Sequence, residues 1–108
     1  MIATNWQDKV NSFAGKNNLH RSINIHLLDL ISELGEVAKE VLLACNYGTQ
    51  PLEIDSKHNF STELGDALYS LCLLATAADV DLDTALDDVL TKYEKRWREK
   101  GHIGSNSE

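Results

Sequence analysis

Two stretches decide the reading of this chain: Ser32-Glu-Leu-Gly-Glu-Val-Ala-Lys-Glu-Val-Leu-Leu-Ala44 and Thr62-Glu-Leu-Gly-Asp-Ala-Leu-Tyr-Ser-Leu-Cys-Leu-Leu-Ala75. Each places two acids three residues apart around a Leu-Gly pair and then turns apolar. A spacing of three puts both carboxylates on one face of a helix. On a wheel of 100° per residue with Glu33 at zero, Glu36 falls at about 300°, Asp29 at about 320° and Glu40 at about 340°. Leu27, Leu30, Leu34, Val37, Ala38 and Val41 occupy about 40° to 140°, and Gly35 about 200°. With Glu63 at zero, the second stretch repeats the design. Asp66 and Ser70 extend the acid side, Leu64, Ala67, Leu68, Leu71 and Ala75 form the apolar stripe, and Gly65 lies opposite.

Around these stretches the chain reads as all-α. There is one proline, Pro51, and no run of alternating apolar and polar residues bounded by turn signals. A first helix is expected from about 5 to 17, with Thr4 and Gln7 as a capping box and Trp6, Val10 and Phe13 on one face. The second is expected from about 22 to 46, stopped near a left-handed Gly48. The third is expected over about 59–78. Asp81 or Asp83 should cap a fourth that runs to about 100 and closes at Gly101. Short connections predict a four-helix antiparallel bundle, a single domain over residues 1–100 with a loose tail at 101–108.

Composition narrows the function. The 108 residues carry 17 acidic against 10 basic side chains, a formal charge of −7, which disfavours a nucleic-acid polymer as partner. No apolar run approaches the length of a membrane span, and the opening residues do not read as a secretory leader. Cys45 and Cys72 lie in apolar helical patterns and read as reduced core thiols of a cytoplasmic protein.

If the two helices pack antiparallel through their apolar stripes, Glu33, Glu36, Glu63 and Asp66 converge, with Glu40 and Asp29 nearby. Two like charges about 6 Å apart repel by roughly 3 kcal/mol at an effective dielectric near 20. Against a total stability of about 5–15 kcal/mol, several such pairs call for protonation or a cation. Oxygen ligands suit a hard divalent ion, Mg²⁺ or in its place Mn²⁺. A single acid pair is ordinarily a solvated face. Two copies at matched wheel positions, each with a mid-helix glycine that costs about 1 kcal/mol, weigh against that. The glycines read as sites of close approach by another helix, of the same chain or of a second subunit.

Glu33-x-x-Glu36, 26 further residues, then Glu63-x-x-Asp66 resembles the signature of the MazG-like all-α nucleoside triphosphate pyrophosphohydrolases. The basic run Lys92-Tyr-Glu-Lys-Arg-Trp-Arg-Glu-Lys-Gly101 resembles the segment that often closes their catalytic domain. The resemblance implies hydrolysis of a (d)NTP to (d)NMP and pyrophosphate, for nucleotide-pool sanitation or control. It implies Mg²⁺ held by Glu33, Glu36, Glu63 and Asp66, and a homodimer or homotetramer. Ser32 stands where many relatives have a further acid, and Glu33 beside it is the acid expected to take the proton of the attacking water.

Other residues follow from the chemistry. Lys92, Lys95, Arg96, Arg98 and Lys100 complement a helix C-terminus, and Lys95 and Arg96 are the candidates for a phosphate clamp. No glycine-rich phosphate loop is present. Trp6 or Tyr47 could stack on a base, and His20, His26 or Asn17 could hydrogen-bond one. Of these, Trp6 and His26 are carried forward. Each has an ordinary structural reading as well. Glu99 and His102 have di-iron spacing, but once only and across a helix-ending glycine, so they are set aside. A different class of function, a non-catalytic helical module that binds Mg²⁺ or nucleotide, is separated from the enzyme by a pyrophosphate-release assay.

Overall fold

In a computed structural model, which describes residues 5–54 and 59–105, the chain is four α-helices: α1 (Trp6–Lys16), α2 (Ile23–Ala44), α3 (Phe60–Ala77) and α4 (Leu82–Lys100). Each begins and ends within two residues of its expected place, because the periodic apolar positions and end signals agree. The start of α1 differs in detail. Thr4 lies outside the described residues, and the cap is Asn5, whose side chain accepts the Asp8 N–H at 2.7 Å. Gln7 is thereby left for a tertiary role.

At the far end of α2, Cys45 is the C-cap, and Asn46, Tyr47 and Gly48 all take left-handed backbone, with φ of 48°, 57° and 88°. Gly48 is left-handed as expected, but the turn is entered two residues earlier. Asp81 caps α4 by accepting from the Asp83 and Thr84 N–H groups at 3.0 and 3.3 Å. Gly101 closes it at φ 75°, donating to the Trp97 carbonyl at 3.0 Å. The three last residues of the expected tail lie outside the described residues.

Helices α2 and α3 pack together along their length, and α1 packs on the other side of α3. Both pairs are antiparallel. Asn59 meets Glu40 and Asp66 meets Glu33 across the first seam. Across the second, Gln7 bonds Thr76 while the Phe13 and Tyr69 rings meet edge to face at 6.2 Å. Gln7 also donates to the Val80 carbonyl at 2.8 Å and accepts the Leu82 N–H at 2.8 Å, so one side chain ties α1 to the turn between α3 and α4.

The stripes are buried only in part: Leu30, Val37 and Val41 on α2 and Ala67, Leu68 and Ala75 on α3 are protected as the wheel predicts. On α2 the protected residues are His26, Leu30, Glu33, Val37, Glu40 and Ala44, spaced 4, 3, 4, 3 and 4, with Val41 and Cys45 beside them. On α3 the matching line is Glu63, Ala67, Ser70, Leu74 and Ala77. This is the spacing of a two-helix seam, and it runs along the border between acids and apolar residues. Leu27, Leu34 and Ala38 of the expected core stripe are exposed instead, as are Leu64 and Leu71. Rotation of both helices toward their acid sides puts Glu33 and Glu63 inside the seam.

Two further expectations change. Within the chain, α4 does not close a four-helix bundle. It has no buried residue, and it is joined to the rest through its first turn, by Gln7 and by the Asn5–Asp83 hydrogen bond of 2.7 Å. Nor do Gly35 and Gly65 mark close approach inside the protomer, since a Cβ at either meets nothing within 4 Å; of the two readings this leaves approach by a second subunit.

Candidate metal and nucleotide site

The seam brings three of the four expected acids together. One carboxylate oxygen each from Glu33, Glu63 and Asp66 lies within 4.8 Å of the others. Glu33 and Glu63 are half-buried and Asp66 is exposed at the rim. Glu36, one turn past Glu33, is exposed beside this trio and close enough for its charge to act on Glu63. Partial burial, then the neighbouring charges of Asp66, Glu36, Glu33 and Glu40, holds the Glu63 carboxyl above its ordinary range. Glu63 therefore binds a proton more readily than an isolated glutamate does, through lost hydration first and like charge second.

The donor set fits a hard divalent ion. Neighbouring oxygens on one octahedral Mg²⁺ at 2.0–2.1 Å stand about 3 Å apart. The three oxygens lie within 4.8 Å of one another, so to share one ion the side chains would close in by rotating about their own bonds. All donors are carboxylate oxygens, which suit Mg²⁺, Mn²⁺ or Ca²⁺ over softer metals.

The remaining candidates lie elsewhere. Arg96 donates to the Ile103 carbonyl at 3.0 Å and sits 6.0 Å from the Tyr93 ring centre, and Lys95 is exposed on the same helix. Since α4 does not pack along α2 or α3, the protomer does not assemble its basic segment onto the acids. Trp6, 69% exposed, borders a cleft of about 320 Å³ with Leu68, Cys72, Leu82 and Leu86, and none of the four acids lines it.

His26 is a correction. It is 2% exposed, and its Nε2 accepts the Arg21 N–H at 2.9 Å, so it is closed to a base. That bond puts its proton on Nδ1, which is buried with no hydrogen-bond partner among the described residues. Burial foremost holds the imidazole pKa below its ordinary value, with Asp29 opposing and His20 and Arg21 adding to the effect. Arg21 in turn donates to the Asn18 and His20 carbonyls at 3.0 and 2.7 Å. His26 is thus the anchor of the α1–α2 connection. Its place on the protected line, seven residues before Glu33, was the available signal.

An all-helical chain with facing acid pairs on two antiparallel helices defines a class: proteins that carry an acidic oxygen-donor site on an α-helical scaffold. The family is more specific. Residues 21–100 match the family model of the MazG nucleotide pyrophosphohydrolase domain, a span that contains α2, α3, α4 and all four acids, and the chain belongs to that family. It is also 35% identical over 72 residues to the Bacillus subtilis (strain 168) protein described as "Uncharacterized protein YpjD". That match covers 66% of this chain and 63% of the relative, so the chain spans less than two thirds of the relative's length. No solved structure matches the chain.

Proposed function

We propose that the protein is a Mg²⁺-dependent nucleoside triphosphate pyrophosphohydrolase that converts a (d)NTP to the (d)NMP and pyrophosphate, in nucleotide-pool sanitation or control. One observation carries the reading: Glu33, Glu63 and Asp66 converge within 4.8 Å in a chain of the MazG family. Glu33, Glu36, Glu63 and Asp66 are the residues that would hold the ion. When bound, Mg²⁺ neutralises phosphate charge and polarises the α-phosphorus, which an acidic protein cannot do alone.

The chain's own groups have separable tasks. Asp66 and Glu36, exposed at the rim, face incoming phosphate. Glu33, half-buried in the seam, is the candidate general base, holding the proton taken from the attacking water on its carboxylate. The α–β bond breaks as the water oxygen bonds to the α-phosphorus, and pyrophosphate leaves. Lys95 and Arg96 are the proposed phosphate clamp. Because α4 stands away from the acids within one protomer, that role requires α4 to be packed by a second copy, in a homodimer or homotetramer. Trp6 is the aromatic proposed to stack on a base.

The test is pyrophosphate release measured on a panel of NTPs and dNTPs with Mg²⁺. Wild-type protein should turn over at least one of them, and Asp66→Asn should lose activity by at least a hundredfold while keeping its helical circular-dichroism spectrum. Undiminished activity in that variant or in excess chelator rules the site out. Mg²⁺ binding without any turnover favours a non-catalytic module.

A further inference from the structure

The last acid on the protected line of α2 makes a tertiary hydrogen bond. Glu40 lies two helical turns past Glu33 and is half-buried, and its Oε1 accepts the backbone N–H of Asn59 at 3.1 Å. Asn59 is the N-cap of α3, yet its side chain makes no capping hydrogen bond. A helix start without a side-chain cap leaves N–H groups to be satisfied from elsewhere. Here α2 supplies one acceptor, a carboxylate set against the positive end of the α3 dipole. The connection continues through backbone: the Asn59 carbonyl accepts the Glu63 N–H at 2.9 Å. Two hydrogen bonds therefore run from Glu40 to the backbone of Glu63.

We propose that Glu40 is a positioning residue, which docks the first turn of α3 onto α2 and thereby sets Glu63 and Asp66 opposite Glu33. The proposal rests on the metal-site reading for its consequence but not for its contact. Glu40 is not one of the three acids whose oxygens converge, and one of its oxygens is already committed to Asn59. A tether between the helices at this end fixes their register where the site opens.

Two substitutions separate docking from ligation. Glu40→Gln keeps a carbonyl oxygen that can accept the Asn59 N–H, whereas Glu40→Ala removes the acceptor. Amide hydrogen exchange at Asn59 and across the first turn of α3 is followed together with calorimetric titration of the protein with Mg²⁺ alone. Glu40→Ala should speed exchange at Asn59 at least tenfold and weaken Mg²⁺ binding about tenfold, the scale on which residues supporting metal ligands act. Glu40→Gln should restore wild-type protection and bring Mg²⁺ affinity within about threefold of wild type. The proposal is overturned if Glu40→Ala matches wild type in exchange. It is also overturned if Glu40→Gln keeps the protection but loses as much Mg²⁺ affinity as Glu40→Ala, which would make Glu40 a ligand. Wild-type protein that binds no Mg²⁺ would refute the metal site, while the exchange measurements would still decide the docking role.

Discussion

Glu63 and His26 sit on the same seam, and burial shifts them in opposite senses. Glu63 has its carboxyl pKa raised, so the folded chain binds a proton more tightly than the unfolded one. Stability from this source is present at acid pH and falls as pH rises from the ordinary carboxylate range through the raised value. A bound cation reverses the trend, because it binds the ionised, folded form. Mg²⁺ should therefore raise the melting temperature clearly near pH 8 and much less near pH 5, and Glu63→Gln should remove that response. An equal Mg²⁺ effect at both pH values would show that the acids are not a coupled cluster. For His26 the folded pKa is lowered, so the unfolded state binds the extra proton. Its contribution is complete above the unfolded value of about 6.5 and is lost as pH falls below it. His26→Ala should cost about 2–4 kcal/mol at pH 7.5, from the cavity and the unpaired Arg21 N–H. The gap to wild type in urea unfolding should narrow by pH 5.5. A gap that is constant with pH would mean the imidazole is not held neutral.

At the scale of elements, the sequence and the structure agree on what the wheel can measure. Helix existence follows from apolar periodicity, so α2 and α3 end close to where Ser22, Asn46, Asn59 and Ala78 suggest. The acid pairs were legible for the same reason, because spacing fixes which side chains share a face. The wheel could not say which edge of the apolar stripe a neighbour covers. Leu34 and Glu33 are adjacent in sequence and both border the seam. Only the tertiary choice half-buries the acid and leaves the leucine 52% exposed. Gln7 was misplaced on similar grounds. Local pattern offered it a cap, but Asn5 took the cap and freed Gln7 to bridge three elements. Replacing Gln7 by Ala should remove the acceptor for the Leu82 N–H and the donor to Val80. At about 1 kcal/mol net per hydrogen bond, the loss should be about 2–3 kcal/mol by urea denaturation. Unchanged stability would mean that solvent replaces these bonds at no cost and that α1 does not hold the α3–α4 turn.

The whole molecule is open for a chain of its length. Its radius of gyration is 17.4 Å, against about 13 Å for a compact chain of 100 residues. Among the described residues, Leu27 and Leu34 on α2, Leu64 and Leu71 on α3, and Leu86, Leu90 and Trp97 on α4 are all exposed. Single exposed leucines are ordinary, but leucines that continue along three helices mark an unpartnered surface. On α4, Leu82, Leu86, Val89, Tyr93 and Trp97 follow the helical period of a face built for burial, and yet no α4 residue is buried. The proposed homo-oligomer accounts for both the open shape and the uncovered faces. In a lone protomer, Leu90→Glu changes a surface residue that is 53% exposed and should shift stability by no more than about 0.5 kcal/mol. In an oligomer that buries α4, it places a charge in an apolar interface. We therefore expect wild-type protein to scatter light as a dimer or tetramer at micromolar concentration, with a melting temperature that rises with concentration. Leu90→Glu should scatter as a smaller species, melt at a lower temperature and lose the concentration dependence. It should also lose pyrophosphohydrolase activity, since Lys95 and Arg96 would no longer be delivered to the acids. A wild-type monomer whose stability is indifferent to Leu90→Glu would show that α4 stands free in solution and that phosphate recognition lies on α2 and α3 alone.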